Sequence, residues 1–356
     1  MKKLVLSLVI LYSGACQAAF PGKWDVYALL LASPNTDDVM IGANSIEDDG
    51  VKLPALLDLV AERMCMNVHG AAGSDMDMDA KSNRNTMSRL IKALGESGDA
   101  KYRPFLEEAL AKTTQEKNRD DINDALHELP AATPGPAYEP SCPTLAEFRA
   151  QALAGRIPAK VSFKDASGFK PGDTLDAVVA KLGAPTVARY YMYQTSHAFI
   201  HIHHEDIQIS YLGAATFHFD EEDNAWRLVR VLENAADPAV SPTSPDAELL
   251  DGVLSGSKEV VSDTGDRMSD QKLYPTDVLD AAARRFWYQR DTIDEDTLDA
   301  LDEVGDILSD SKNPRYRTLL TQVSQQAKEK RLRKYASSAL SDLPPGDVEQ
   351  LPVPAE

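Results

Sequence analysis

The chain has 356 residues, 43% of them hydrophobic, and a formal net charge of -19 at pH 7. So acidic a surface is repelled by nucleic acid and by anionic membranes, which leaves proteins, basic ones above all, as its natural partners. The apolar content excludes a disordered chain and is enough for two or three separate cores.

At the N-terminus Lys2 and Lys3 precede an apolar run from Leu4 to Tyr12, followed by small residues at Ser13, Gly14, Ala15, Ala18 and Ala19. This is the three-part pattern of a secretory leader, spanning 1–18, whose apolar run is too short to anchor in a bilayer. It implies a periplasmic protein. Gly14, Ala15 and Cys16 also fit a bacterial lipoprotein signal, although Ser13 stands where Leu is expected, so an outer-membrane lipoprotein anchored through Cys16 is the alternative. No later stretch reaches transmembrane length, so none is expected in the mature chain.

Residues 19–130 show helical periodicity, with segments near 24–33, 37–46, 54–66, 83–94, 101–113 and 119–129. Tyr102, Phe105, Leu106, Ala109 and Leu110 fall on one helical stripe, and Ile122, Ala125, Leu126 and Leu129 on another. The stretch Lys92 to Pro130 reappears without insertion at Asp306 to Pro344, with ten identities in 39 positions, among them Tyr102-Arg103/Tyr316-Arg317 and Arg119/Arg333. Upstream, Leu53-Pro54 to Met64 matches Tyr274-Pro275 to Arg285, and Leu31 to Asp48 matches Val253 to Asp270 more weakly. An internal repeat of this kind indicates a duplicated helical array, residues 19–130 and 246–344. The phrases GDAKYRPFLEEAL and KNPRYRTLLTQV, each followed by a helix ending in DALHELP or SALSDLP, resemble HEAT-like repeats of bacterial envelope proteins.

Proline-rich linkers, 131–159 with a short helix and 233–245, set off a middle domain at 160–232. There Thr174 is placed to cap a helix that Gly183 ends and Pro185 keeps from resuming, before strands at 187–193, 197–203, 207–212, 216–220 and 226–231. The run FKPGDTLDAVVAKLGAPTV is similar to the opening of the BamE-like lipoprotein fold, and that resemblance implies a small α+β interaction module of the envelope. The expected fold class is thus multidomain α and α+β: two duplicated HEAT-like halves with a helix-plus-antiparallel-sheet domain inserted between them. Residues 345–356 read as a disordered tail.

Chemistry-bearing residues are sparse. His197, Phe199, His201 and His203 alternate to one face if 197–203 is a strand, opposite Ala198, Ile200 and Ile202, which helix packing would claim. That His face is then a partner-binding surface around Phe199, His201 and His203. With His218, or with Glu205 or Asp206 in the following turn, it can alternatively hold Zn²⁺ or Cu²⁺ through His197, His201 and His203. The run Asp75 to Asp79 begins like an EF-hand loop but has Ala80 where Gly is needed and Thr86 in place of Glu. Cys65 and Cys142 can pair in an oxidising compartment or serve as small apolar residues. No nucleophile, metalloprotease, Walker or dinucleotide motif occurs, and no cofactor is implied. The expectation is a non-catalytic envelope scaffold or adaptor that binds a protein partner, with a metal-binding protein and a periplasmic hydrolase lacking a linear motif as the rival readings.

Overall fold

The computed structural model describes residues 20–70, 78–131, 138–197, 200–223 and 225–354; the side chains at 67–70, 78–82, 192–197 and 200–205 lie outside that description. The leader with Cys16, most of the acidic run beginning at Asp75, and Phe199 therefore fall outside the described residues. Within them, fifteen α-helices accompany one four-stranded antiparallel sheet. None of these helices is long and apolar enough to cross a membrane.

Six helices come first: α1 (Lys23–Leu31), α2 (Thr36–Asp48), α3 (Pro54–Gly70), α4 (Met78–Glu96), α5 (Arg103–Lys112) and α6 (Glu116–Glu128). They pack as consecutive pairs, with α4 lying between α2 and α6. Three short helices, α7 (Leu145–Ala152), α8 (Phe163–Ala166) and α9 (Leu175–Leu182), lead into the sheet. Thr174 Oγ1 accepts from Ala177 N–H to start α9, and Gly183 at φ 86° stops it, a backbone geometry that other residues adopt only with strain. The strands β1 (Val187–His197), β2 (Ile200–Tyr211), β3 (Ala215–Glu222) and β4 (Ala225–Glu233) follow in the order β1-β2-β3-β4. Six more helices close the chain: α10 (Ala247–Leu254), α11 (Lys258–Gln271), α12 (Thr276–Tyr288), α13 (Glu295–Asp310), α14 (Arg317–Gln326) and α15 (Lys330–Asp342).

The two helical arrays share a hydrogen-bond framework. α5 and α14, and α6 and α15, begin and end 214 positions apart, as do the 3-10 turns Ala100–Tyr102 and Pro314–Tyr316. Asp99 N–H donates to Ser97 Oγ and Lys101 N–H to Asp99 Oδ1; Asn313 N–H donates to Ser311 Oγ and Arg315 N–H to Asn313 Oδ1. Arg103 donates to the carbonyls of Leu126 and Leu129, and Arg317 to those of Leu340 and Leu343, so each guanidinium satisfies the open carbonyl end of the following helix. The buried Tyr102 hydroxyl donates to Asp58 at 2.7 Å and that of Tyr316 to Asp280 at 3.1 Å.

Asp58 and Asp280 are 222 positions apart, so the sequence pairing of Pro54 with Pro275 is one residue out of register. Pro54 opens α3 as its first helical residue, whereas Pro275 stands one position earlier, as the N-cap of α12. The corrected register pairs the buried Arg63 with the buried Arg285. It also exposes exchanges of volume. A Cβ on Gly42 would meet Leu30 Cβ at 3.0 Å; at the equivalent crossing the glycine is Gly252, where a Cβ would lie 2.1 Å from Thr264 Oγ1. The close approach of helices is kept while the small residue changes sides.

The arrays differ in what their cores join. The first shares one continuous apolar core with α7, α9 and the sheet, including Val178, Ile207, Ile209 and Phe217. The second has its own core around Phe286, Leu301 and Leu320.

Two expectations need correction. The middle domain has four strands rather than five, because β2 runs unbroken through Glu205 and Asp206 instead of turning there; Asp206 is buried and held by cross-strand bonds. Residues 345–354 are ordered rather than a disordered tail: Leu351 is buried, its N–H donates to Arg315 O, and Gln350 Oε1 accepts from Thr318.

Candidate functional site

The sheet has one apolar face, one polar face and two unlike edges, and each follows from residues read in register. Ala188, Tyr190, Ile207, Ile209, Phe217 and Phe219 share one pleat parity and enter the first core. The other parity is polar and nonetheless buried: Arg189 of β1 stands beside Gln208 of β2, which stands beside His218 of β3. Burial of so many polar groups is stable only if they bond one another.

Asp251 of α10, fully buried, accepts from Arg189 Nη1 at 2.9 Å and from Ser210 Oγ at 2.6 Å. Arg189 Nη2 donates to the carbonyl of Glu248. Asn234 Nδ2 donates to Ser210, Thr216 Oγ1 donates to Asn234 Oδ1, and Gly256 N–H donates to the same oxygen. This seam joins the sheet to the second array. Burial alone would raise the Glu248 carboxyl, but Arg267, Arg149 and Arg189 overcome it and hold Glu248 at about 2. His218 Nδ1 and Gln208 Nε2 both lie 2.8 Å from Asp206 Oδ2. Among the described residues the buried His218 Nε2, Gln208 Oε1, Arg189 Nε and Tyr191 Oη have no hydrogen-bond partner.

The β1 edge has one of its outward amides capped. Tyr190 N–H, on the outer side of the sheet, donates to Asp38 Oδ1 at 2.7 Å, and Ser33 Oγ donates to Asp38 Oδ2. Burial pushes the Asp38 carboxyl up to about 7, against the opposing pull of those two bonds. Among the described residues the β4 edge is unpaired at Val231, while Gly256 lies against the Glu233 carbonyl. Asn234 N–H donates inward to Ala214 O, so strand alternation turns the N–H and C=O of Val231 outward. Leu228, also outward, is already paired with Gly172 and Asp173. Beside Val231 runs a groove of about 530 Å³ lined by Leu232, Gly256, Tyr288 and Thr292, with Glu233, Asp294 and Asp296 on its rim. Tyr288 is exposed along it, and Ile293 stands exposed in the adjoining loop.

A second cavity, of about 290 Å³, lies where α1, α7, the start of β1 and the linker at 242–245 meet. Its arginines are neutralised in place, Arg149 by Glu248 and Arg156 by Asp25, so it offers no net charge to a ligand.

The histidines expected to act together are separated by the hairpin. His197 pairs with Ile200 across β1 and β2, so positions 201 and 203 share parity with Ile207 and Ile209, while position 197 shares parity with His218. The face assignment made from a continuous strand at 197–203 is thereby reversed beyond the turn. His218 lies beside Gln208, eight residues or about 26 Å along β2 from the hairpin end. The side chains of His197, His201 and His203, and all of Phe199, are outside the described residues. Among the described residues no group of three His, Cys, Asp or Glu is arranged to hold a metal ion. Cys65 and Cys142 form a disulfide with Cα atoms 5.1 Å apart, fastening the linker to α3.

Arg189, Asp251 and Asp38 were not singled out from the sequence. One signal was available: Asp251 interrupts the otherwise apolar run LLDGVL, and a charge inside such a run must be paired. No family model, no curated protein and no solved structure matches this chain.

Proposed function

We propose that this protein is a non-catalytic scaffold of the bacterial envelope, made of two HEAT-like arrays related by duplication around a BamE-like α+β unit, and that it captures an extended segment of another envelope protein at the β4 edge. The observation that carries the reading is the outward backbone of Val231 at the floor of an acid-rimmed groove. An added strand would take its main-chain hydrogen bonds from that edge, and Glu233, Asp294 and Asp296 would select basic side chains on it. The shared framework of the arrays supports the duplication, and the leader pattern supports the location.

Capture can be tested with a photo-crosslinking residue at Tyr288 in the full chain, expressed in its own envelope. The expected product is an adduct whose attachment site lies in a Lys- or Arg-containing extended segment. Val231→Pro removes only the outward N–H of an edge strand and should abolish the adduct while leaving the fold intact. Adducts that persist undiminished in that variant would remove the β4 edge from consideration.

A further inference from the structure

The second surface of interest is the layer formed by α2, α4 and α6, and its counterpart formed by α11, α13 and α15. At four equivalent positions 214 residues apart their charges are inverted. Arg89 and Lys92 on α4 become Glu303 and Asp306 on α13, while Glu116 and Asp120 on α6 become Lys330 and Lys334 on α15. The first layer thus carries a basic ridge beside an acidic one, and the second an acidic ridge beside a basic one.

These charges are available. Lys92, Glu116, Asp120, Asp306, Lys330 and Lys334 are all exposed. Arg89 leans on Glu47 and Glu303 on Lys258, both at 3.5 Å, and Lys92, Asp302 and Asp306 make no ion pair among the described residues. Between α2, α4 and α6 lies a shallow groove of about 330 Å³ whose charged lining is Arg89, Lys92, Lys117 and one acid, Asp121. On the other layer partial burial, and then the crowding of Asp302, Glu303, Asp310 and Asp342, raises the Asp306 carboxyl above its ordinary range. A cation brought against that ridge would relieve the repulsion. Four other pairs keep their sign, Glu96/Asp310, Lys117/Arg331, Arg119/Arg333 and Glu128/Asp342, and Arg331 is already bound by Glu295 and Asp299.

We infer that two copies of this chain pair through these layers, α4 of each against α13 of the other and α6 against α15. Because every copy carries one layer of each kind, a single twofold axis satisfies both contacts at once and closes the assembly as a dimer. Two chains of formal charge -19 repel at long range, so the association depends on local matching of ridges and salt alone does not diagnose it.

Charge exchange does diagnose it. Sedimentation of the full chain over a concentration series should show a dimer. Arg89→Glu with Lys92→Glu, and separately Glu303→Lys with Asp306→Lys, should each weaken it by at least about 100-fold, the scale of several lost charge contacts. An equimolar mixture of the two variants restores both matches and should recover a dimer containing one of each. Wild type that stays monomeric throughout, variants that dimerise as wild type does, or a mixture that remains monomeric would each overturn the inference. Should a reversal unfold the chain, Arg89→Gln with Lys92→Gln gives the same reading at smaller amplitude. The inference stands apart from capture at β4: loss of the Tyr288 adduct leaves the dimer untouched, and loss of the dimer leaves the adduct.

Discussion

The two helical arrays hold the same sheet by opposite means. α1 to α6 meet it through a shared apolar core, reinforced by a disulfide between α3 and the linker. α10 to α15 keep their own core and meet it through the polar seam centred on Arg189 and Asp251. The framework that fixes helix ends is the same in both arrays, so what differs is the means of attachment. Apolar attachment tolerates small errors of fit; a buried polar seam requires its partners one by one.

The largest expected effect tests that contrast at the seam. Asp251→Ala leaves a buried guanidinium unpaired and should cost about 3–5 kcal/mol, whereas Asp251→Leu combined with Arg189→Met should cost much less. Urea unfolding should show the second array released first in the single variant. A loss spread evenly over both arrays would mean that the seam is not a separate attachment. Reduction of the disulfide Cys65–Cys142, or Cys65→Ser with Cys142→Ser, should cost about 2–4 kcal/mol, felt in the first array only. Hydrogen exchange resolves the two arrays, and equal loss of protection in both would contradict it.

Gly252→Ala should cost about 1–3 kcal/mol, because its Cβ meets the stiff Thr264 side chain. Adding Thr264→Gly, which recreates the arrangement of Leu30 and Gly42, should recover most of that loss in a thermal melt. Tyr102→Phe and Tyr316→Phe should each cost about 1 kcal/mol and by similar amounts, since each hydroxyl donates to an equivalent aspartate. Unequal losses would show that the shared framework is not shared in energy.

A separate effect is one of pH. The folded chain keeps on Asp38 a proton that the unfolded chain releases above its ordinary value near 4, so this group's contribution is full below that pH and is lost as pH rises through about 7. Asp38→Asn should flatten that part of the stability profile.

The helices were legible because each buries one stripe, and periodicity reports stripes directly. α9 was legible in its caps, with Thr174 and Gly183 both placed by chemistry that acts within a few residues. The reading of Glu205 and Asp206 as a turn failed because burial of a charge depends on partners on another strand, here His218 and the Phe219 N–H. The same reason hid Arg189 and Asp251, which lie 62 residues apart. Register in α3 and α12 slipped because a proline looks alike in sequence whether it precedes a helix or opens it.

Asp38, by occupying the outward N–H of Tyr190, takes one backbone donor of the β1 edge out of reach of an incoming strand. A sheet open on both sides can add copies of itself indefinitely and seed a fibre. One that is stopped on one side accepts a strand and has nothing further to offer at the stopped side, so an incoming strand ends the growth it begins. A carboxylate on α2 thereby makes the start of β1 a poor template for a further strand.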